Sequence, residues 1–177
     1  MSLIPIILQR AMAVDIMLGS IVLLAWSATS ALTAIAARWI PATPRKLMIG
    51  GLLACAAGQL GVYGLHPDSS LIRVIPGMLL AGAANGVLNA ALGRQAVASV
   101  PADRSAMGSG ANNTARYLGS ATGLTICAVL ITHAGAGSGT AGLFLGWNMA
   151  VVVSVVFSLL GAFAVFVARE HQVMVKP

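Results

Sequence analysis

Apolar residues follow one another in five long runs, at 13–37, 47–65, 74–99, 107–133 and 141–168. A helix needs roughly 20 such residues to cross the hydrocarbon core of a membrane. Lipid offers the backbone no hydrogen-bond partners, and runs this long and continuous are not barrel strands, so each run predicts a helix. The predicted fold class is all-α, a polytopic membrane helix bundle with five transmembrane helices.

The segments between the runs are short and rich in turn-forming residues, which leaves no room for a soluble domain. We therefore expect one five-span membrane domain over residues 11–168. Residues 1–10 are interpreted as the remnant of a preceding transmembrane helix, and residues 169–177 as a cytoplasmic tail.

Composition excludes most soluble classes of protein. Hydrophobic residues make up 58% of the chain and charged residues 8%, whereas soluble domains carry about a quarter charged residues. The net charge of +6 could indicate nucleic-acid binding, but the basic residues stand singly at the ends of apolar runs. The predicted partner is the lipid bilayer, with no nucleic acid.

The basic residues also predict an orientation, because cytoplasmic loops are enriched in Lys and Arg. Two of the ten, Arg10 and Arg73, fall on one side, and one, Arg116, falls within a run. The other seven fall on the opposite side: Arg38, Arg45, Lys46, Arg94, Arg104, Arg169 and Lys176. We expect a multi-pass protein of the cell membrane with its N-terminus outside and its C-terminus cytoplasmic.

A cleaved signal peptide is an alternative for the first run. Arg10, the apolar residues 16–26 and the small residues 30–34 fit that pattern. Asp15 and the continuation of the run into a basic loop argue against it.

Four segments, in order, carry a resemblance to a known family. They are a short apolar stretch with a Pro and a Leu-Gln pair (3–9), a basic loop (38–50), a Gly-rich helix closed by Val-Pro (81–101), and a segment with Asn, Arg and paired Gly (103–123). Together they resemble the C-terminal half of major facilitator superfamily (MFS) transporters. The match is closest to the fourteen-helix drug:proton antiporter branch.

That resemblance implies two six-helix bundles around a central cavity, of which the chain would hold an incomplete second bundle. The implied function is proton-coupled efflux of small or drug-like solutes, with multidrug resistance as its outcome and with protons and a small molecule as partners. We expect no transport by the chain alone, which could be a fragment, a decayed gene or half of a split transporter. Two alternatives stay open: a non-transporting integral membrane subunit that binds a partner through small-residue helix faces, and a homodimeric antiporter that relies on Asp15.

Four polar residues inside the runs are candidates for a substrate pathway. Arg116 is costly in lipid and could meet an anionic group or an acid on another helix, although it could equally snorkel to the headgroups. Asn112 lies one turn before it, and Asn85 and Asn89 share a face of another helix. Interhelical hydrogen bonding is the alternative role, and it is preferred for Asn89.

Other candidates have structural or regulatory roles. Gly82 with Gly86, and Gly119 with Gly123, form small-residue faces that predict helix packing. Asp15 is interpreted first as a helix cap and second as a proton-binding site. Trp147 and Asn148 fit an anchor at the membrane interface. A cytoplasmic gating or topology loop contains three basic residues: Arg38, Arg45 and Lys46.

Signals for enzymatic chemistry are lacking in the sequence. The three histidines share no ligand spacing with Cys or acids, and no serine stands in a recognisable catalytic pattern. We expect neither an enzyme nor a resident cofactor or metal.

Overall fold

A computed structural model describes residues 3–135 and 139–168, and these residues form α-helices joined by short loops. The described residues contain six α-helices: α1 (Ile4–Met12), α2 (Ile16–Ala36), α3 (Pro44–Leu60), α4 (Leu71–Ala98), α5 (Ser105–Gly135) and α6 (Gly139–Val167). Two 3-10 turns, Ala37–Trp39 and Ala102–Arg104, lie between them. The described residues contain no strand, which confirms the all-α class.

Four of these helices are long and apolar enough to cross a membrane: α2 with its following 3-10 turn, α4, α5 and α6. The predicted second run, 47–65, is not among them. Its helix α3 has 17 residues and ends at Leu60, so it is about 26 Å long at 1.5 Å per residue. The prediction of helix as far as residue 65 is wrong, because the backbone turns there and Gly64 takes a φ of 68°.

Short polar side chains set where several helices begin. The carboxylate of Asp15 accepts a hydrogen bond from the Met17 amide at the start of α2. The hydroxyl of Ser70 accepts one from the Ile72 amide at the start of α4. These contacts satisfy backbone amides that have no partner within the first turn of a helix.

Helix α4 lies at the centre of one part of the bundle and packs against α2 and α3. Helix α6 packs against α3 and α5, while α5 contacts α4 more sparingly. Most of α5 between residues 109 and 125 is exposed as a result. Helices α2, α3, α4 and α6 are thus linked by successive close contacts, and α5 joins them chiefly through α6. Between residues 109 and 125 one face of α5 is open.

Helix α1 differs from the others because it is amphipathic. Its residues Ile4, Ile7 and Leu8 are fully buried against α2 and α6, whereas Gln9 and Arg10 are exposed. With 9 residues α1 is too short to span a membrane. Its origin as part of a longer helix stays a prediction, and the predicted tail 169–177 lies outside the described residues.

Candidate substrate pathway

The α2–α4 interface contains the first of the predicted pathway residues. The side-chain amide of Asn85 donates to the Ser30 hydroxyl at 2.9 Å. One turn further along α2, the Thr33 hydroxyl donates to the Ala83 carbonyl at 3.0 Å. Both bonds join the two helices, so Asn85 acts here as an interhelical contact.

Gly82 and Gly86 lie where α2 and α4 approach most closely. A Cβ built on Gly82 would stand 2.6 Å from the Trp26 carbonyl oxygen. A Cβ on Gly86 would collide with the Ser30 carbonyl and the Thr33 hydroxyl and would come within 2.9 Å of the Ala34 amide nitrogen. Only glycine fits at these positions without moving α2, as expected of a small-residue packing face.

The other pathway candidates have no such contacts. Asn89 is half-buried on α4, Asn112 is half-buried on α5, and Arg116 is exposed. Among the described residues the Arg116 guanidinium has no ion-pair or hydrogen-bond partner, and no hydrogen bond links Asn85 to Asn112. The structure therefore does not join the four residues into one polar cluster, and their role in transport stays a prediction.

A cavity of about 830 Å³ lies instead between α5 and α6. Its α5 side includes Gly119 and Gly123, where an added Cβ would meet nothing within 4 Å. The predicted packing face on α5 is thus without a partner in the described part of the chain. None of the four predicted pathway residues lines this cavity.

Sequence reasoning missed the polar residues that do line it. The Cys127 sulfur and the Ser154 hydroxyl lie 3.6 Å apart at its wall. Gln59 also lines the cavity, and its side-chain oxygen is buried without a hydrogen-bond partner among the described residues. A lone amide at the end of an apolar run was the signal that could have identified Gln59.

Trp147 is buried rather than exposed at an interface, so the anchor prediction for this residue is wrong. It is 4% exposed, and its indole nitrogen donates to the Val62 carbonyl at 2.8 Å. The neighbouring Asn148 accepts from the Gly64 amide at 2.9 Å. The pair fixes the turn after α3 against α6.

The basic loop after α2 contacts a neighbouring aromatic ring and the end of another helix. The Arg38 guanidinium stacks over the Trp39 ring, 4.2 Å from its centroid. Arg45 donates to the Val165 carbonyl at 3.2 Å and also to the Phe166 carbonyl, at the C-terminal end of α6. Lys46 is exposed. A gating role for this loop stays a prediction.

Arg94 makes a similar contact at the same end of the bundle, where its guanidinium donates to the Ala37 carbonyl at 3.3 Å. The carbonyls at a helix C-terminus carry partial negative charge and lack amide partners, so a cation there is favourable. Arg45 and Arg94 thus bind the ends of α6 and α2 to their neighbours.

One comparison with known proteins gives a match. The chain is 33% identical over 104 residues to a puromycin resistance protein of Streptomyces alboniger. The aligned region covers 56% of this chain and 21% of the relative, so the chain spans about a fifth of the relative's length. No family model and no solved structure matches the chain.

Proposed function

We propose that the chain forms part of a membrane transporter of the major facilitator class that exports small or drug-like solutes from the cell in exchange for protons. The identity to a puromycin resistance protein carries this proposal. Four helices long enough to cross a membrane support it. A membrane protein can confer resistance by removing a compound from the cell, whereas modifying the compound would require a catalytic site.

The architecture supports a bundle that works with further helices. Transport by alternating access requires two helical units that move against each other around a shared site. In this chain α2, α3, α4 and α6 pack together, while α5 has a long exposed face that includes Arg116. Because an unpaired cation is costly in lipid, that face is suited to another protein surface or a hydrated path.

The proposed location is the cell membrane, with the C-terminus in the cytoplasm. The basic end of the bundle, which includes Arg38, Arg45 and Arg94, would then face the cytoplasm. The proposed partners are the bilayer, protons and a small organic solute.

The test is export from cells and membrane vesicles. The DNA upstream of Met1 is sequenced, and the longest reading frame and the chain by itself are expressed separately. Accumulation of puromycin and of a lipophilic cation is then measured with and without a protonophore. The proposal expects the longer form to lower accumulation of at least one compound and the protonophore to abolish that effect.

Arg116→Ala in the longer form tests the pathway candidate, with Arg10→Ala as a control at an exposed position of α1. Loss of export only in the first variant would support a role for Arg116. Absence of protonophore-sensitive export from every form would contradict the proposed function. It would favour a non-transporting membrane subunit.

A further inference from the structure

The end of the bundle where α2, α4 and α6 finish is strongly basic. Its described residues include five cations: Arg38, Arg45, Lys46, Arg94 and Arg104. Asp103, the one acid among the described residues at this end, lies 3.9 Å from the Arg104 guanidinium. No other ion pair occurs in the part of the chain that the structure describes. Within that part, the positive charge of the other four cations is therefore not neutralised.

Two of these arginines adjoin each other. A guanidinium nitrogen of Arg94 donates to the Ala37 carbonyl at 3.3 Å, and that carbonyl belongs to the peptide group that joins Ala37 to Arg38. The Arg38 guanidinium stacks over the Trp39 ring. Both arginines are exposed. Because a guanidinium carries five N–H donors, each side chain keeps donors for the oxygens of an anion.

Lys46 adds a third cation from another helix. It is exposed, and the next residue of α3, Leu47, belongs to one apolar cluster with Ala91, which lies one turn before Arg94 on α4. Three separate segments thus supply cations to the same end of the bundle. Together with the indole of Trp39, these three residues form what we call the basic surface: Arg38, Trp39, Lys46 and Arg94.

The basic surface lies beside exposed apolar side chains. Trp39 is 67% exposed and Ile40 is 40% exposed. The membrane-length segment that begins at Ile16 ends at Trp39, so these side chains lie where the chain leaves the hydrocarbon core. Trp is enriched at that depth, because its ring is apolar and its N–H is polar. The cations next to it therefore lie at the level of phospholipid headgroups, which favours a lipid over a soluble anion.

We propose that the basic surface binds the headgroup of an anionic phospholipid, with Arg38 and Arg94 donating to its phosphate oxygens. Guanidinium and phosphate form charge-assisted hydrogen bonds that are frequently bidentate. Phosphatidylcholine carries its own cation beside the phosphate, so the basic surface prefers a lipid that has none, such as phosphatidylglycerol. The proposal requires the chain to lie in a bilayer, but it does not require the export of any solute.

The test is native mass spectrometry of the full chain in detergent, titrated separately with dioleoyl-phosphatidylglycerol and dioleoyl-phosphatidylcholine. We expect a lower Kd for phosphatidylglycerol. Arg38→Ala should raise that Kd about fivefold, the contribution of one basic residue at an anionic membrane surface. Arg38 makes no hydrogen bond to another described residue, so this variant removes none from the bundle. Adding Arg94→Ala should raise the Kd about 25-fold in total.

Two further variants separate a site from a general effect of charge. Arg10→Ala combined with Arg73→Ala removes two exposed cations from the opposite end of the bundle and should leave the Kd for phosphatidylglycerol unchanged. Arg38→Lys should recover part of the affinity lost in Arg38→Ala, because an ammonium keeps the charge but lacks the paired donors of a guanidinium.

Three results would overturn the proposal. Equal affinity of the unaltered chain for both lipids would leave these basic residues with a role in topology alone. An equal rise in Kd in the variant that lacks Arg10 and Arg73 would show a response to net charge and not a binding site. Displacement of phosphatidylglycerol by inorganic phosphate at the same concentration would show that the surface takes a soluble anion. Lipid binding is measured without transport, so failure of the proposed export function would leave these results unaffected.

Discussion

Asn85 and Asn89 lie one turn apart on α4 and differ in their contacts. Asn85 donates to Ser30 across the α2–α4 interface, while Asn89 is half-buried without a hydrogen bond to another described residue. In a bilayer an interhelical hydrogen bond contributes about 0.6 kcal/mol on average, because the separated helices find other partners. The bond between Asn85 and Ser30 is therefore expected to be measurable but small.

A double-mutant cycle isolates that contribution. Ser30→Ala and Asn85→Ala are combined, and the free energy of unfolding is measured by detergent titration. We expect a coupling energy of about 0.6 kcal/mol and below about 1.7 kcal/mol. Ser30→Ala with Asn89→Ala is the control pair and should be additive. Coupling of equal size in both pairs would contradict the assignment of this bond.

Trp147 shows that a local sequence pattern does not predict the tertiary contacts of a side chain. Trp147 near the end of an apolar run fits an interfacial anchor, since its ring is amphipathic. In the structure its indole donates to the Val62 carbonyl and its ring is buried. The turn after α3 leaves the Val62 carbonyl without an amide partner in a helix, so the indole can donate to it. The course of that turn is set by tertiary contacts that no local sequence pattern encodes.

At the scale of the helices, the pair α2 and α4 depends on a close approach at Gly86. A Cβ there would collide with the backbone and the Thr33 hydroxyl of α2. Since protein interiors tolerate added volume poorly, we expect Gly86→Ala to lower the free energy of unfolding by about 1–3 kcal/mol.

Gly93→Ala on the same helix is the matched control, because an added Cβ there meets nothing within 4 Å. The better helix propensity of Ala should leave stability unchanged or raise it by up to about 1 kcal/mol. Thermal unfolding in detergent compares the two variants. Equal destabilisation would show that helix packing is not what requires glycine at residue 86.

A second element-scale prediction concerns the C-terminal turn of α6. Arg45 donates to the carbonyls of Val165 and Phe166, so its removal leaves them without these donors. Arg45→Ala should lower the local opening free energy by about 1–2 kcal/mol and speed amide exchange in residues 160–168 roughly tenfold. Hydrogen–deuterium exchange by mass spectrometry measures this.

Lys46→Ala removes an exposed neighbouring charge and should leave exchange at the end of α6 unchanged. Arg45→Lys should recover part of the protection, because an ammonium still donates but lacks the paired geometry of a guanidinium. Equal exchange in all three variants would contradict the proposed role of Arg45 in capping the C-terminal turn of α6.

The helices themselves were largely predictable from the sequence. Apolar runs placed α2, α4, α5 and α6 within about three residues at each end. The predicted cap at Asp15 is confirmed, whereas the cap at Ser70 was not predicted. Helix α3 was predicted too long because Gly61 and Gly64 lie in an otherwise apolar stretch, and composition does not show that the backbone turns there. The short α1 was not placed as a buried amphipathic helix, since its 9 residues make only about two and a half turns.

For the whole molecule, the sequence predicted small-residue faces but not which of them is occupied. Gly82 and Gly86 meet α2, whereas Gly119 and Gly123 line the cavity between α5 and α6. The two pairs have the same spacing, so the difference comes from the three-dimensional arrangement of α5 and α6. The cavity that Gln59 and Cys127 line follows from that arrangement as well.

The orientation of the bundle gives the last prediction. Arg38, Arg45 and Arg94 lie at the end where α2 and α6 finish, and Arg73 lies at the opposite end, where it donates to the Tyr63 carbonyl. Cytoplasmic loops carry the excess of basic residues. Exposed Pro41 should therefore face the cytoplasm, and exposed Asp68 should face the outside.

Pro41→Cys and Asp68→Cys are made separately in a chain with both native cysteines replaced by Ser. A membrane-impermeant maleimide should label the residue 68 variant in intact cells and the residue 41 variant only after permeabilisation. Because the two loops lie at opposite ends of the bundle, each variant is the control for the other. The reverse pattern would place Arg38, Arg45 and Arg94 on the outer side, and it would mean that the arginines at the ends of α2 and α6 serve helix capping alone.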